Sequence, residues 1–402
     1  MTPVAVGELL DLEVERIAFG GEGVARHEGF VVFVPLVAPG ERIRAQVREV
    51  RRTFARAELR EVLAPSPDRR SAPCRHFGTC GGCQLQHLHH PAQLRTKVEF
   101  VQHALKRIGG IWWQREIPIR SAQEFGYRIR AQWQIAPRGP DQPPAIGFHR
   151  AGSREVCEVE SCPILVPELN AGLARLRGMG AEHGLPRVLD MAAGAEGVAT
   201  DPPLPGFAVE PITQGVGADT FGFAPQTFFQ GNRVLLQELA AHAVGERAGY
   251  AALDLYAGVG LFTVPLARNH AQVTGVESDP HAVRIGRANL ARNGCENATL
   301  RSARVEDALR SLLRAVAAGK AQPPDLVVLD PPRIGARAAM PLLAQLAAPR
   351  VHYVSCDPAT MARDLRVLLG ADYRLLDVTA FDLFPQTYHV ETVARLALAA
   401  AE

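Results

Sequence analysis

Five residues that can bind a ligand or do chemistry follow predicted strands in the second half of the chain. They come after the runs AALDLY (Gly258 and Gly260), QVTGV (Glu277), DLVVL (Asp330) and VHYVS (Cys356). Where strands and helices alternate, the carboxyl ends of parallel strands meet at one edge of the sheet, and such folds bind ligands there. The five residues are therefore predicted to share one site, which combines a glycine turn, two carboxylates and a cysteine.

The glycine turn indicates the kind of cofactor. A dinucleotide fold has a third glycine close to the pyrophosphate, and here Thr263 stands at that position. The turn therefore favours a ligand without a pyrophosphate, such as S-adenosylmethionine (SAM). Glu277 can accept hydrogen bonds from both ribose hydroxyls, and Gln230 in FFQGN can reach the amino-acid end of the cofactor. Asp330 precedes two prolines, which must turn the chain over the crevice, so it is expected to face cofactor or substrate.

Cys356 lies just before a predicted helix, whose positive end is expected to favour the thiolate. A lone cysteine is usually an inert packing residue, but convergence with the cofactor residues favours a nucleophile. A thiolate that adds to carbon 6 of a pyrimidine prepares carbon 5 to take a methyl group, and a base must then remove the carbon 5 proton. Glu391 in FPQTYHVE is the predicted base, with a pKa raised in a water-poor site, and His389 is the competing candidate.

The charge of the chain is unevenly distributed. Residues 1–150 carry 22 Lys and Arg against 15 Asp and Glu, whereas the remainder carries 22 against 27. The densest run, ERIRAQVREVRRTFARAELR, fits phosphate binding, and it equally fits a solvated strand face. Phe125, Tyr127 and Trp133 are expected to offer stacking surfaces for bases. Because the chemistry also demands a pyrimidine that can leave its stack, RNA is the predicted partner.

The seven cysteines do not suggest disulfides, since their number is odd and the start of the chain lacks a basic signal region. Cys74, Cys80 and Cys83 have the spacing C-x5-C-x2-C, and Cys162 in SCPIL is a distant fourth thiol. Such a set can hold zinc or a [4Fe–4S] cluster, and the three-plus-one pattern with a proline after the last cysteine is closer to ferredoxin-like ligation. Cys157 is a rival for the fourth position.

The pattern along the 402 residues predicts a multidomain α/β protein. Residues 1–62 alternate short strands with glycine turns, as in a small OB-like β-barrel. Residues 63–226 contain the cysteines and a β-rich region, and residues 227–402 alternate strands and helices, as in a Rossmann-like doubly wound domain. No apolar run has the roughly 18 residues of a membrane span. We expect a soluble cytoplasmic protein without a membrane contact or an obligate protein partner.

Several motifs together carry a family resemblance. The runs FFQGN, LDLYAGVGLF, LDPPR, YVSCDPATMARDL and FPQTYHVE resemble the RNA 5-methyluridine methyltransferases of the TrmA/RumA family, and the N-terminal segment resembles a TRAM domain, a small RNA-binding barrel. The resemblance spans essentially the whole chain. It implies a class I SAM-dependent enzyme in which Cys356 is the nucleophile and Glu391 the base. It implies SAM contacts at Gln230, Tyr256, Glu277 and Asp330. It implies a [4Fe–4S] cluster on Cys74, Cys80, Cys83 and Cys162.

One position departs from the family pattern. Some members have asparagine after the second glycine of the turn, where this chain has Leu261, so a side-chain contact to the cofactor is expected to be missing. The barrel and cluster together resemble the ribosomal RNA enzymes more than the shorter transfer RNA enzymes, so ribosomal RNA is the predicted substrate and transfer RNA the alternative.

Two other functional classes are less compatible with the sequence. A cytosine-C5 methyltransferase is disfavoured because Ser355, and not a proline, precedes Cys356. A non-catalytic RNA-binding iron–sulfur protein is disfavoured because both Cys356 and Glu391 are present.

Overall fold

The computed structural model describes residues 3–139, 142–179 and 184–399. The chain begins with a closed five-stranded barrel in the order β1-β2-β3-β5-β4. Its strands are β1 (Leu9–Ile17), β2 (Glu22–His27), β3 (Phe30–Pro35), β4 (Arg42–Val50) and β5 (Phe54–Ala64). Apolar and polar residues alternate along β1, so that Leu10, Leu12 and Val14 fill the barrel. The predicted small barrel is confirmed.

The arginine-rich face of this barrel is largely an ion-paired surface. Arg44 pairs with Asp11 on the neighbouring strand, and Arg56 pairs with Glu22. Pairs of this kind between exposed side chains contribute little to stability, but they use much of the charge that would otherwise attract phosphate. The arginine run is therefore no evidence for nucleic acid by itself.

The cysteine segment leads from the barrel into helix α1 (His90–Ala104), which continues as a π-helical turn (Leu105–Gly109). Pro91 lies in the first turn, where a missing N–H is tolerated. Gly110 ends the helix with φ 64°, a conformation in which glycine avoids the Cβ clash. The buried face of α1 carries Phe100 and Val101 and also Lys97, whose charge is therefore paired inside the protein.

The middle of the chain forms an antiparallel sheet in the order β11-β10-β7-β8-β9 and a separate hairpin, β12-β13. The elements are β6 (Ile119–Arg120), β7 (Arg130–Ala136), β8 (Ala145–His149), β9 (Val156–Glu158), α2 (Pro167–Gly178), β10 (Val188–Gly194), β11 (Gly197–Asp201), β12 (Ile212–Val216) and β13 (Asp219–Phe223). Tyr127 and Trp133 are fully buried in this region. The expectation that these two rings stack on RNA bases is therefore wrong, because aromatic alternation along a strand marks the inward face as readily as a binding face.

The last part of the chain is a doubly wound domain, as predicted. Its elements are α3 (Leu236–Val244), β14 (Gly249–Leu255), α4 (Thr263–Asn269), β15 (His270–Glu277), α5 (Pro280–Arg292), β16 (Ala298–Ser302), α6 (Val305–Ala317), β17 (Leu326–Leu329), α7 (Met340–Leu346), β18 (Arg350–Ser355), α8 (Pro358–Leu369), β19 (Tyr373–Phe381) and β20 (Glu391–Leu398). The sheet order is β16-β15-β14-β17-β18-β20-β19-β6. Strands β14 to β18 are parallel, and β20 runs antiparallel to both of its neighbours.

The middle of the chain also contributes to this last sheet. The two-residue strand β6 pairs in parallel with β19 and so covers its outer edge. Val101 and Leu105 belong to the apolar core formed by β17, β18 and α8.

The predicted boundaries at residues 62 and 226 stay predictions. Among the described residues, no helix has the length and apolar character needed to cross a membrane.

Candidate active site

The glycine turn lies at the carboxyl end of β14. The chain passes through Tyr256, Gly258 and Gly260 with φ values of 62°, 53° and 92°. Glycine adopts such angles without strain, whereas a tyrosine in this region is uncommon and tends to occur at functional sites. The turn therefore places glycine backbone at the edge of the sheet where the sequence predicts a cofactor.

Glu277 holds this turn in place. Its Oε2 accepts a hydrogen bond from the Gly258 N–H at 3.0 Å. Its Oε1 accepts from the N–H groups of Ser278 and Asp279 at 2.6 and 2.8 Å. The carboxylate thus links the turn after β14 to the turn after β15, and its predicted contact with the ribose hydroxyls stays a prediction.

Asp254 is a buried carboxylate that the sequence analysis missed. Thr263, at the position of the absent third glycine, donates from Oγ1 to Asp254 Oδ2 at 2.5 Å. Within the described part of the chain, nothing hydrogen-bonds to Asp254 Oδ1. Burial raises the pKa of Asp254 to about 7, and the charges of Asp330 and Glu277 add to this shift. An acidic residue inside the apolar strand run AALDLY was the signal that could have revealed it.

Asp330 and Gln230 are brought together, although they are far apart in sequence. Gln230 is buried, and its Nε2 donates to Asp330 Oδ2 at 3.3 Å. Burial raises the pKa of Asp330 to about 7, and the hydrogen bond from Gln230 opposes that shift. Leu261 is buried in the apolar core, and the expected absence of a side-chain contact to the cofactor at this position stays a prediction.

Cys356 and Glu391 are neighbours because of strand pairing. Ser355 on β18 lies opposite Thr392 on β20 in an antiparallel ladder. One step further along that register places Cys356 next to Glu391. Glu391 is 1% exposed, and its Oε1 has no hydrogen-bond partner among the described residues. Burial and the charge of Asp330 raise the pKa of Glu391 well above its ordinary value.

The expected activation of Cys356 by the helix end is wrong for the protein without substrate. Burial, followed by the charges of Glu391 and Asp330, raises the pKa of Cys356 to about 12. The positive end of α8 is already used, because Asp357 caps it and accepts hydrogen bonds from the N–H groups of Ala359 and Thr360 at 2.9 Å each. Cys356 therefore rests as a thiol among carboxylates.

His389, the rival base, is less suited to remove a proton. Its Nε2 lies 3.3 Å from Arg333 Nη2. Burial and the positive charge of Arg333 lower the pKa of His389 to about 4, which makes it a weak base. Arg333 was not singled out in the sequence, yet its charge favours the ionised forms of both Cys356 and Glu391.

The predicted metal-binding cysteines surround one space. Cys74, Cys80, Cys83 and Cys162 line a cavity of about 170 Å³, whereas Cys157 is buried in β9 and is not part of that lining. Burial raises the pKa of Cys80 to about 11 and that of Cys83 to about 12. In the ranges that the structure describes, no three Cys, His, Asp or Glu side chains are arranged to hold a single metal ion.

Comparison with known proteins shows which families the N-terminal and C-terminal parts of the chain resemble. Residues 220–398 match the family model described as tRNA (Uracil-5-)-methyltransferase, and residues 3–59 match the TRAM domain model. The doubly wound domain is thus a methyltransferase domain, and it follows a TRAM barrel.

Full-length relatives define the family. The 23S rRNA (uracil(1939)-C(5))-methyltransferase RlmD of Pectobacterium atrosepticum is 35% identical over 93% of this chain and 90% of the relative. The protein of the same name from Pseudomonas entomophila is 34% identical over 98% of this chain and 94% of the relative. The chain belongs to the RNA uracil-C5 methyltransferase family.

A solved structure has the same fold over nearly the whole chain. The tRNA (uracil-54, C5)-methyltransferase of Pyrococcus abyssi, in complex with S-adenosyl-L-homocysteine, is 25% identical, with a TM-score of 0.73. The match covers 96% of this chain and 100% of that structure. The barrel, middle region and catalytic domain are therefore arranged together as in a known member of the family.

Proposed function

We propose that the protein methylates carbon 5 of a uridine in 23S ribosomal RNA, with SAM as the methyl donor. The observation that carries the proposal is the placement of Cys356 beside the buried Glu391 at the edge of the sheet that bears the glycine turn. The choice of ribosomal RNA is supported by full-length similarity to two proteins named as 23S rRNA enzymes.

The described residues fit SAM. The cofactor carries positive charge on its sulfonium and amino groups. The chain offers the carboxyl group of Asp330 at the edge of the sheet and, in the strand before the glycine turn, the buried Asp254, whose Oδ1 has no hydrogen-bond partner among the described residues. The residues proposed to hold SAM are Gln230, Tyr256, Gly258, Gly260, Glu277 and Asp330. When bound, SAM supplies the electrophilic methyl group.

The chain's own residues supply the remaining chemistry. Cys356 bonds to carbon 6 of uracil, and its proton passes to the carboxylate of Asp330, whose charge acts on the thiol, so that Glu391 keeps its basic form. Carbon 5 gains electron density and accepts the methyl group. Glu391 then removes the carbon 5 proton, the double bond re-forms, and the thiolate of Cys356 leaves. An orphaned carboxylate oxygen in a buried site is well suited to that proton transfer.

The test supplies the purified protein with SAM and either unmodified ribosomal RNA or unmodified transfer RNA. Digestion to nucleosides and mass spectrometry then measure 5-methyluridine and 5-methylcytidine. We expect 5-methyluridine from the ribosomal RNA, with fragment mapping to one site. Product from transfer RNA alone would keep the reaction and overturn the substrate, an outcome given weight by the Pyrococcus abyssi structure.

Two other results would overturn more. Methylcytidine would indicate a cytosine enzyme. Absence of product from both naked RNAs and from a ribosomal precursor particle would favour a non-catalytic RNA-binding protein.

We further propose that Cys74, Cys80, Cys83 and Cys162 hold a [4Fe–4S] cluster. The support is that all four thiols line one cavity, and that three closely spaced cysteines with a remote fourth can hold such a cluster. Methyl transfer needs no electrons, so the role proposed for these cysteines is structural.

Cys162→Ser is expected to remove the brown absorbance of protein purified without oxygen, because it removes a ligand. Cys157→Ser is the matched control and is expected to keep it, because Cys157 lies outside the cavity lining. The reverse result would reassign the fourth ligand, and a colourless wild-type protein would contradict the cluster.

A further inference from the structure

We propose that Gln386 is a positioning residue, which couples the cysteine segment to the placement of the predicted base Glu391. This inference rests on the proposed function, because it concerns how the base is held. Gln386 lies five residues before Glu391, in the loop 382–390 that joins β19 to β20. It is fully buried, and its backbone has φ 72°. A glutamine rarely adopts this conformation, so surrounding contacts must hold it there.

The loop 382–390 is held mainly by hydrogen bonds from the first third of the chain, and the Leu383 carbonyl also accepts from Asn232 Nδ2 at 3.0 Å. Three successive carbonyl groups accept hydrogen bonds from residues that lie more than 250 positions earlier. Lys97 Nζ donates to the Phe384 carbonyl at 2.9 Å, and Tyr127 Oη donates to the Pro385 carbonyl at 2.9 Å. The Gln386 carbonyl accepts from the N–H groups of Gln84 and Leu85 at 3.1 and 2.9 Å. Because these donors are outside the catalytic sheet, the course of the loop depends on the region that holds the cysteines.

The side chain of Gln386 makes three hydrogen bonds, all toward that region. Its Nε2 donates to Glu124 Oε2 at 3.0 Å. Its Oε1 accepts from Arg70 Nη2 at 3.1 Å and from Gln93 Nε2 at 3.0 Å. The Gln386 N–H in turn donates to Gln93 Oε1 at 2.9 Å, so the side-chain amide of Gln93 bonds to Gln386 through both its nitrogen and its oxygen. Three hydrogen bonds to a buried amide fix one conformation of its side chain.

Two short routes lead from this glutamine to the cysteine cavity. The first is direct, since Gln84, whose N–H bonds to the loop, follows Cys83 in sequence. The second passes through Arg70, whose Nε donates to the Gln86 carbonyl at 3.1 Å, while Gln86 Oε1 accepts from the Cys74 N–H at 3.1 Å. A change in the conformation of Cys83 therefore reaches the loop through one hydrogen bond, and a change in that of Cys74 through three.

A change in this connection is expected to affect one step of the reaction, the removal of the carbon 5 proton. Attack depends on Cys356, which directly follows β18, whereas proton removal depends on Glu391, which directly follows the loop. Misplacement of a catalytic group by about 1 Å can cost about a hundredfold in rate. Loosening the loop is therefore expected to slow release of the methylated RNA more than formation of the covalent adduct.

The test uses the full-length protein purified without oxygen and the variants Gln386→Gly, Cys83→Ser and the double variant. Glycine keeps the backbone conformation and removes only the side chain. Gln322→Gly, in an exposed loop, is the matched control. Hydrogen–deuterium exchange of the amides in residues 382–391 is measured first, because it needs no activity. Should Cys83→Ser fail to fold, Gln86→Ala, which breaks the link to Cys74 and keeps every cysteine, takes its place.

We expect exchange in this segment to be at least about tenfold faster in each single variant and unchanged in Gln322→Gly. The double variant is expected to be little faster than either single variant, since both break the same connection. In the assay with RNA and SAM, Gln386→Gly should accumulate adduct and keep its affinity for SAM.

Unchanged exchange, or fully additive effects of the two substitutions, would overturn the coupling. Equal slowing of adduct formation and release would reduce Gln386 to a general structural role. Coupled exchange in a protein that methylates no RNA would instead contradict the proposed function and leave the connection standing.

Discussion

Replacing Glu391 with glutamine is expected to stop the reaction after the methyl group has been transferred. Glutamine keeps the shape of the side chain but cannot take the carbon 5 proton. A general base contributes about 10²–10⁴-fold to rate, so release should slow by that order while attack by Cys356 continues. The measurement is a denaturing gel of protein with labelled RNA and SAM, on which the stable adduct should accumulate, followed by mass spectrometry of the trapped base.

Glu296→Gln, an exposed glutamate far from the site in sequence, is the control and should turn over normally. The pH dependence gives an independent check. Since burial raises the pKa of Glu391, the wild-type protein should release product more slowly as pH falls through that raised value, and Glu391→Gln should lose this dependence. Free methylated RNA at full rate from Glu391→Gln would contradict the assignment and transfer it to His389.

Replacing Cys356 with alanine is expected to abolish both methylation and the covalent adduct, with a fall of at least about a thousandfold in turnover. Without the thiol, carbon 6 is not attacked and carbon 5 never becomes nucleophilic. The measurement is 5-methyluridine formation together with the denaturing gel. Cys295→Ala, which removes a buried thiol bonded to the Val264 carbonyl, should retain activity.

The thiol also predicts a pH effect on the wild-type protein. Because the pKa of Cys356 is raised to about 12, the thiolate is scarce at neutral pH, and adduct formation should quicken as pH rises from 6 to 9. Residual adduct in Cys356→Ala would show that another group is the nucleophile.

The sequence was sufficient for the barrel, for the doubly wound domain and for the edge at which the site lies. Parallel strands place their carboxyl ends together, so Gly258, Glu277, Asp330 and Cys356 could be grouped before any coordinates were known. The pairing of strands across the sheet could not be predicted from the sequence. The neighbourhood of Cys356 and Glu391 results from the insertion of β20 between β18 and β19, which no local pattern announces.

The ionisation of the site residues also could not be predicted from the sequence. A helix start next to Cys356 suggested a thiolate, but the outcome depends on which groups already occupy that helix end and which carboxylates lie nearby. Asp357 and Glu391 decide it through contacts that appear only in the folded chain. For the same reason Asp254, a single acidic residue in an apolar strand, could be recognised as a site residue only from its hydrogen bond with Thr263 in the folded chain.

The short strand β6 has a practical consequence for dissecting the protein. It covers the outer edge of β19, and an uncovered edge strand is a template for aggregation. A fragment that begins at residue 227 would lose this cover together with the buried partner of Asp382, Lys97, and an unpaired buried carboxylate is strongly destabilising. The catalytic half is therefore not a detachable module, and swapping RNA-binding regions between such enzymes must carry α1 and β6 along with the sheet that they complete.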